Sequence, residues 1–435
     1  VYSPELGRWK ELNMQDLLQM LGRAGRPFFD KEGEGIIITS SEELRMYLSL
    51  TNEQLPIESQ LLVSLPEILN SEISLGNVTD LKTALTWINQ TYFSLRLEQN
   101  PKFYDLKGNS SPTQTTFLKY KLDLIHSSAV HLEHFGMIRY DRNRGIFEST
   151  PEGKIASEFY IKCNTLKNFS ENLTGDLTSI DLLRVFTLAD EFQYVTNREE
   201  ELPELEKLKS SVPFPVKGSL EQPQSKINIL LQCYIGGVSL EGYALAADLV
   251  YISQNAQRLF RAMFQIALKK NLGQLSLRIL EFCKMVEKRV WAAQSPLRQY
   301  MELPEKLFRR IEQQEQLTWD HFCSMTSEQL SVVIKNESLS RKIHKFLKLF
   351  PKLETHVYAQ PVTRGQVKVQ VDIEQQFQWN YELHGGSMFF WVFVLDVDEE
   401  SLIFSEQICL KPKRKKVSFD FMVPLLEPLQ PHYFI

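Results

Sequence analysis

Two arginines and two glycines alternate near the start of the chain, in the stretch Gln19–Pro27, which reads Gln-Met-Leu-Gly-Arg-Ala-Gly-Arg-Pro and is called the arginine motif below. Arg23 and Arg26 stand three positions apart, and Gln19 lies one helical turn ahead of them. Arginine is permanently charged, and its planar fork of donors matches phosphate oxygens. The motif is therefore suited to stabilise charge on a transferring phosphoryl group. The alternative is a basic turn at a helix end, in which both arginines form salt bridges.

A second group of side chains suited to binding lies on one predicted helix between residues 251 and 269. Its polar residues recur at helical spacing and should share one face, opposite an apolar stripe. Arginine and amide groups so arranged suit the phosphates and bases of a single nucleic-acid strand. The alternative is an ordinary solvent-exposed helix face. The polar face comprises Gln254, Arg258, Arg261, Gln265 and Lys269, and the stripe comprises Leu259, Phe260, Met263, Phe264 and Ala267.

Composition limits the classes of protein to which the chain can belong. Its 435 residues predict roughly three domains. A formal net charge of -5 argues against a uniformly basic coat, so nucleic acid would bind in a local groove. The five cysteines form no Cys-x-x-Cys pair and the histidines no His-x-x-x-His, so neither a disulfide nor a metal site is predicted. No apolar run approaches the roughly 18 residues of a membrane span, and no membrane partner is expected.

The segment around the arginine motif is predicted to contain both strands and helices. Residues 1–12 have the pattern of a β-hairpin. The apolar, β-branched run Gly33–Thr39 is typical of a buried strand. Ser40 or Ser41 should then begin a helix that continues to Leu50.

Residues 61 to about 160 show the pattern of a winged-helix domain. Apolar residues from Leu118 to Leu132 recur at helical spacing. A hairpin of Met137–Tyr140 with Gly145–Glu148 follows, and Thr150 should open a closing helix.

The second half of the chain changes from helical to strand periodicity. From about 161 to 292 the pattern is helical throughout, with an acidic stretch at Asn197–Glu201 that we expect to be a solvated face. Short helices are predicted over 303–350. From Leu353 the period becomes two, and strands at Val367–Ile373, Phe377–Trp379 and Met388–Val394 predict a β-sandwich. Lys411–Lys416 is interpreted as a charged hairpin tip, with a nuclear-localisation patch as the alternative.

The arginine motif resembles motif VI of superfamily-two helicases, in the form found in large DExH-box RNA helicases. The resemblance implies that Gln19, Gly22, Arg23 and Arg26 bind ATP, and that Gln19, Arg23 and Arg26 act on its phosphates between two RecA-like domains. ATP would act with Mg²⁺. The chain contains no Gly-x-x-x-x-Gly-Lys-[Ser/Thr] loop, so we expect most ligands of ATP and Mg²⁺ to lie outside it, as in a piece of a longer protein.

The resemblance extends along the chain to helicases that carry a Sec-sixty-three homology unit, in phrases such as Leu55–Gln60 and Leu425–Pro431. It implies that the 251–265 segment is the ratchet helix, which lies across the strand that leaves the RecA-like domains. The implied RNA contacts are Gln254, Asn255, Arg258 and Arg261. Relatives have a small Ser and Gly where this chain has Asn255 and Gln257, so local contacts are expected to differ.

The hairpin before the arginine motif would, by the same resemblance, separate the strands of a duplex. Tyr2 and Trp9 are the candidate apolar side chains that would separate the strands. The alternative is that the hairpin forms the edge of a RecA sheet. The winged helix would mainly brace the ring of domains, although its wing arginines could also touch nucleic acid.

The implied fold class is multidomain and mainly α with β. The domains expected from the resemblance are the C-terminal part of a second RecA-like α/β domain (1–50), a linker with a winged helix (51–160), a helical bundle with the ratchet helix (161–292), a helix-loop-helix (293–350) and a fibronectin- or immunoglobulin-like β-sandwich (351–435).

The group that the chain resembles most is the spliceosomal DExH-box RNA helicases of the small nuclear ribonucleoprotein particles, in their first, active cassette. That resemblance implies a nuclear enzyme that uses ATP to unwind a small nuclear RNA duplex during pre-mRNA splicing, with spliceosomal proteins of the tri-snRNP as partners. Two alternatives remain open. One is the related two-cassette helicase of the activating-signal cointegrator complex, which acts in repair and stalled-ribosome clearance. The other is a non-enzymatic cassette that docks proteins.

Overall fold

The computed structural model describes the chain except residues 1, 4–7, 10–11, 13, 26–28, 52–56, 107–112, 300–302, 314–318, 399, 413–415 and 426–432, and gives only the backbone of 2–3, 8–9, 14–15, 46 and 50–51. Two compact units make up the fold: Val1–Lys167 with Asp190–Thr196, and Asn168–Ala189 with Asn197–Ile435. Of the helices described, none has both the length and the apolar character that crossing a membrane requires.

The first unit begins with the predicted β-hairpin. Strands β1 (Tyr2–Ser3) and β2 (Arg8–Trp9) are antiparallel, with Tyr2 opposite Trp9. Helices α1 (Met14–Leu21) and α2 (Leu44–Thr51) follow. Leu17 on α1 and Tyr47 on α2 are buried in one small cluster, which Ile37 joins. This cluster fixes the helix that ends at the arginine motif.

The prediction of a buried strand at Gly33–Thr39 is wrong. The segment has no regular structure, and Ile36 and Ile38 are 78% and 95% exposed. A strand needs hydrogen-bonded neighbours, and no strand pairs with this segment in the part of the chain that the structure describes. The β-branched residues favour an extended conformation, but local composition cannot show whether a neighbouring strand is present.

A winged helix completes the first unit. Leu69, Ile88, Phe93, Ile125 and Leu132 form its fully buried centre. Its strand pair lies beside residues 79–81, where an isolated bridge joins Asp80 to Ile146. Its elements are α3 (Leu65–Ser74), α4 (Leu81–Asn89), α5 (Tyr92–Gln99), α6 (Gln114–His134), β3 (Ile138–Asp141), β4 (Ile146–Ser149) and α7 (Pro151–Phe159), and α8 (Cys163–Asn172) follows.

The start of α7 shows how the sequence specifies this domain. Thr150 is its N-cap, and the Thr150 Oγ1 accepts a hydrogen bond from the Gly153 amide at 3.0 Å. A Cβ at Gly153 would lie 2.1 Å from the Met137 carbonyl oxygen, so glycine is required for the close approach of helix and hairpin. The predicted hairpin and closing helix are both confirmed.

The second unit contains a helical bundle around one long helix. Its helices are α9 (Ser179–Phe186), α10 (Leu202–Ser211), α11 (Pro223–Gly236), α12 (Tyr243–Lys269) and α13 (Gly273–Lys288). The rings of Phe186, Phe260 and Phe282 form a continuous buried stack, with centroid separations of 4.7 Å and 5.3 Å and nearly parallel planes. This stack ties the apolar side of α12 to α9 and α13.

The expectation of a solvated face at Asn197–Glu201 is wrong for Glu201, although Glu199 and Glu200 are exposed. Glu201 is 6% exposed, and its Oε2 lies 2.5 Å from the Nζ of fully buried Lys226. Asp248 on α12 binds the same Nζ at 2.6 Å. The partner that turns Glu201 inward is remote in the sequence, so a local acidic pattern could not reveal it.

Four short helices come next, as predicted for 303–350. Pro304 precedes the first, and Pro351 follows the last. Buried Leu307, Phe322 and Ile343 join them in one core. The helices are α14 (Glu305–Glu312), α15 (Trp319–Ser324), α16 (Ser327–Ile334) and α17 (Glu337–Leu349).

The end of the chain is a β-sandwich, as predicted. One sheet has the order β5-β6-β9 and the other pairs β7 with β8, all antiparallel. Val371, Val394 and Phe421 are buried together between the two sheets. The elements are β5 (Leu353–Thr363), β6 (Gln366–Gln375), α18 (Tyr381–His384), β7 (Met388–Leu395), β8 (Leu402–Leu410) and β9 (Lys416–Pro424).

The prediction of a strand at Phe377–Trp379 is wrong. This stretch is an irregular segment before α18, and the Trp379 Nε1 donates to the Gly385 carbonyl at 3.0 Å. The Phe377 and Trp379 rings both pack against His384. Alternating aromatics suggested a strand, but Asn380 caps a short helix here and ends any extended run.

Candidate nucleotide and nucleic-acid sites

The arginine motif lies at the C-terminal end of α1. The Gly22 amide donates to the Leu18 carbonyl at 2.8 Å, and the Arg23 amide donates to the Met20 carbonyl at 3.1 Å. Gln19 is therefore on the last turn of the helix and Arg23 is on the turn that follows it. Both are exposed to solvent. Their side chains could approach a ligand from this end of the helix.

Two glycines outside the predicted site hold the returning chain against this turn. A Cβ at Gly33 would lie 2.2 Å from the Ala24 carbonyl oxygen, and a Cβ at Gly35 would lie 2.4 Å from Leu21 Cδ2. The contact at Gly33 is with backbone, so glycine is needed there, whereas the contact at Gly35 requires only that the end of the Leu21 side chain move. The Gly-Glu-Gly pattern was visible in the sequence, but its role depends on a tertiary contact.

The electrostatic surroundings of Arg23 fit phosphate binding. Among the residues that the structure describes, Arg23 has no acidic partner, which does not favour the salt-bridged alternative. Its guanidinium has donors but no acceptor, so it suits phosphate oxygens and cannot ligate Mg²⁺. Within the same described part of the chain, no cluster of His, Cys, Asp and Glu is placed to hold a metal ion. Arg26, the other predicted arginine, lies outside the described residues, as do the side chains of Tyr2 and Trp9.

Helix α12 presents the predicted polar face. Its apolar stripe is buried, while Gln254, Arg261 and Lys269 are exposed and Arg258 and Gln265 are half-buried. At 1.5 Å per residue, the face from Gln254 to Lys269 is roughly 22 Å long. Such a length suits contacts with several successive nucleotides.

Asn255 does not lie on this face as an exposed contact. The residue is only 9% exposed, and the Asn255 Nδ2 donates to the Tyr251 carbonyl at 2.8 Å. The Asn255 Oδ1 accepts from Arg258 Nε at 3.1 Å and from Nη2 at 2.5 Å. In this structure the Asn255 side chain thus orients Arg258, and its expected contact with RNA stays a prediction.

Arg261 lies beside Glu287, an acidic residue on the next helix. The Arg261 Nη2 is 3.1 Å from Glu287 Oε2 on α13, and the Gln257 Nε2 donates to the same oxygen at 3.0 Å. Burial alone would raise the pKa of Glu287. The hydrogen bond and charge of Lys288, followed by the charge of Arg261, outweigh burial and lower that pKa below its ordinary value. The carboxylate is therefore ionised at neutral pH.

The first part of α12 is anchored by buried charges. Lys226 of α11 is fully buried, and its Nζ binds both Asp248 of α12 and Glu201. Arg198 Nη1 lies 2.7 Å from the other oxygen of Glu201. Together with the phenylalanine stack, this network fixes the position and rotation of the helix that carries the polar face.

The linker before the winged helix contains a second buried ionic contact. Glu58 Oε1 lies 2.8 Å from Arg96 Nη2, and Asn100 Nδ2 donates to the same oxygen at 2.8 Å. The Tyr104 hydroxyl donates to Oε2 at 2.8 Å. These bonds, with that from Arg96 the strongest, lower the pKa of Glu58 to about 2 although desolvation raises it. The linker is thus attached to the winged helix by a carboxylate that is ionised at neutral pH.

A winged helix, a helical bundle, short helices and a β-sandwich follow an arginine turn in the order expected for the class of helicase that carries a Sec63 unit. Models of two protein families match the same regions. The Winged Helix-turn-helix domain matches residues 58–139. The Sec63 Brl domain matches residues 149–435, and the chain belongs to this family.

Curated relatives match along the whole chain. It is 44% identical over 437 residues to the U5 small nuclear ribonucleoprotein 200 kDa helicase of Homo sapiens. It is 42% identical over 437 residues to the pre-mRNA-splicing factor brr2 of Schizosaccharomyces pombe. It is 41% identical over 438 residues to the activating signal cointegrator 1 complex subunit 3-like protein of Dictyostelium discoideum. Each match covers 100% of this chain and 20% of the relative, so the chain spans about a fifth of their length.

Proposed function

We propose that the chain is part of the first cassette of an ATP-dependent RNA helicase that unwinds paired small nuclear RNAs in the nucleus during spliceosome activation. Spliceosomal proteins of the tri-snRNP are its proposed partners. The observation that carries the proposal is the polar face of α12, where Arg258 and Arg261 stand opposite a fully buried apolar stripe. Relatives named as a small nuclear ribonucleoprotein helicase and as a pre-mRNA-splicing factor support it.

The arginine motif is proposed to complete the ATP site. Arg23 and Arg26 would stabilise the charge that builds up on the γ-phosphoryl group, and Gln19 would contact the nucleotide phosphates beside Gly22. The exposed position of Arg23, without an acidic partner among the described residues, supports this role. ATP binds together with Mg²⁺, which neutralises phosphate charge. The protein ligands of Mg²⁺ are proposed to lie outside this chain.

The polar face of α12 is proposed to hold the translocating RNA strand. The proposed contacts with phosphates and bases are Gln254, Arg258 and Arg261. Asn255 would orient Arg258 through its side-chain oxygen. Strand separation is assigned to the β1–β2 hairpin with Tyr2 and Trp9. Bracing is assigned to the winged helix, because its Arg96 binds the linker through Glu58.

RNA binding by the purified chain tests the role of α12. We expect a fluorescein-labelled single-stranded RNA of twelve uridines to bind in low salt. Arg258→Gln should weaken binding about tenfold and reduce the salt dependence, since one charged hydrogen bond to phosphate is lost. Arg364→Gln, which removes the same charge from an exposed turn of the sandwich, is the matched control. Equal affinities of the two variants would contradict the proposal.

A second candidate is the helicase of the activating-signal cointegrator complex, which the Dictyostelium relative favours. Both candidates would use the same proposed sites, so the substrate must separate them. The intact enzyme should unwind paired small nuclear RNAs faster than 3′-tailed DNA if it acts in splicing. The opposite preference would favour the second candidate.

A further inference from the structure

Glu287 places a negative charge beside the polar face of α12. It comes from the last turn of α13, and its Oε2 contacts both Arg261 at 3.1 Å and Gln257 at 3.0 Å. Its Oε1 lies 3.1 Å from the Nζ of Lys288, its neighbour in the chain. The carboxylate therefore occupies the Nη2 donor of Arg261, which is suited to a phosphate oxygen as well.

Two contacts on the polar face differ in charge. Arg258 is oriented by a neutral amide, because Asn255 Oδ1 accepts from two of its nitrogens. Arg261 is held by a charged carboxylate on the neighbouring helix. An amide orients a guanidinium without reducing its charge, whereas a carboxylate neutralises it locally.

The Arg261–Glu287 contact can exchange with solvent and ligand. Both side chains are about half exposed, at 51% and 44%. Exposed ion pairs of this kind contribute little to folding stability. Glu287 is not needed to hold α12 against α13, because Phe260 and Phe282 already stack between these helices in the buried core.

We propose that Glu287 competes with RNA phosphate for Arg261 and so weakens the hold of α12 on the strand. This role rests on the proposed function of α12 as an RNA-binding helix. A strand that advances must be released from each contact before it binds the next one. A carboxylate of the protein that pairs again with the guanidinium lowers the free-energy barrier to that release. The same competition lowers the equilibrium affinity of the helix for RNA.

Substitution of the carboxylate by its neutral isostere tests this role. Glu287→Gln keeps an oxygen that can accept from Arg261 and Gln257, but removes the charge. We expect the purified chain to bind the labelled twelve-uridine RNA roughly three- to fivefold more tightly at ~50 mM salt. The gain should shrink as salt rises, because screening weakens exposed charges. Glu281→Gln, on an exposed position of the same helix, removes an equal charge and should change affinity by less than about 1.5-fold at the same salt.

A double-mutant cycle separates competition for Arg261 from a general effect of net charge. In an Arg261→Gln background, Glu287→Gln should have almost no effect on affinity, because the contested guanidinium is absent. Unfolding midpoints should be equal within error for Glu287→Gln and the parent chain, which excludes a difference in folding.

Three results would overturn the role of Glu287. Unchanged or weaker binding by Glu287→Gln, while the parent chain binds RNA, shows that the carboxylate does not compete. An equal gain in the Arg261→Gln background shows a non-specific charge effect. If the parent chain itself binds no RNA, the proposed function of α12 fails and the role of Glu287 fails with it.

Discussion

Asn255 Oδ1 accepts hydrogen bonds from two nitrogens of Arg258, Nε at 3.1 Å and Nη2 at 2.5 Å. The amide of Asn255 is itself fixed, since its Nδ2 donates to the Tyr251 carbonyl one turn earlier. The helix thus orients its own arginine through a buried polar side chain. This local arrangement lowers the entropy that Arg258 must lose when it binds a phosphate.

The first prediction concerns Asn255. Asn255→Ser removes the acceptor for Arg258 and should weaken binding of single-stranded RNA roughly threefold, through the loss of preorganisation. In an Arg258→Gln background the same substitution should have no effect. A loss of affinity that persists without Arg258 would mean that Asn255 contacts RNA directly. Fluorescence anisotropy of the purified variants measures both.

The second prediction concerns the buried network of α12. Lys226→Met removes the fully buried ammonium that Glu201 and Asp248 share and leaves Glu201 with Arg198. Breaking this ion pair should reduce the free energy of unfolding by about 3–5 kcal/mol. Urea denaturation followed by circular dichroism measures this change. Lys207→Met, at an exposed site on α10, should cost less than about 0.5 kcal/mol. Similar unfolding curves for the two variants would show that the network does not stabilise the bundle.

The third prediction is a pH dependence at the linker. The pKa of Glu58 falls from its ordinary value of 4.5 to about 2 on folding, so its contribution to stability is complete above pH 4.5. The contribution should disappear as pH falls from 4.5 towards 2, where the carboxylate becomes protonated in the folded state as well. Glu58→Gln should therefore destabilise the protein by roughly 1–2 kcal/mol at pH 7.

The pH series distinguishes an ionic role of Glu58 from a steric one. The difference in unfolding free energy between the parent chain and Glu58→Gln should narrow steadily below pH 4.5. A difference that stays constant with pH would assign the effect to packing of the side chain and would contradict the ionic account.

The fourth prediction concerns the arginine motif in the intact helicase. Arg23→Ala and Arg26→Ala should each reduce RNA-stimulated ATP hydrolysis about a hundredfold, since loss of one preorganised donor at a transition state costs ~3 kcal/mol. Arg45→Ala, at an exposed position on α2, should leave the rate unchanged. Unaltered turnover in either motif variant would remove that arginine from the catalytic assignment.

The sequence predicted elements whose signals are local. Thr150, followed by Pro151 and Gly153, specified the start of α7 through a capping bond and a close approach that only glycine permits. The apolar stripe of α12 was visible because helical periodicity repeats over many residues. The order of winged helix, bundle and sandwich followed from the change in periodicity and from the resemblance of motifs.

The features that the sequence missed depend on partners distant in the chain. Ile36 and Ile38 have strand propensity but no neighbouring strand among the described residues. Glu201 is turned inward by Lys226, and Glu287 of α13 forms an ion pair with Arg261 of α12. No local pattern distinguishes such acidic residues from those that remain in solvent.

Unwinding by the intact helicase tests the central claim, that the polar face of α12 holds the translocating strand. ATP hydrolysis without RNA and unwinding of paired small nuclear RNAs should be measured in parallel for Arg258→Ala and the parent enzyme. We predict that hydrolysis without RNA is unchanged and that unwinding falls about tenfold, because the arginine acts on the strand and not on the nucleotide. Normal unwinding accompanied by a loss of ATP hydrolysis would contradict the account.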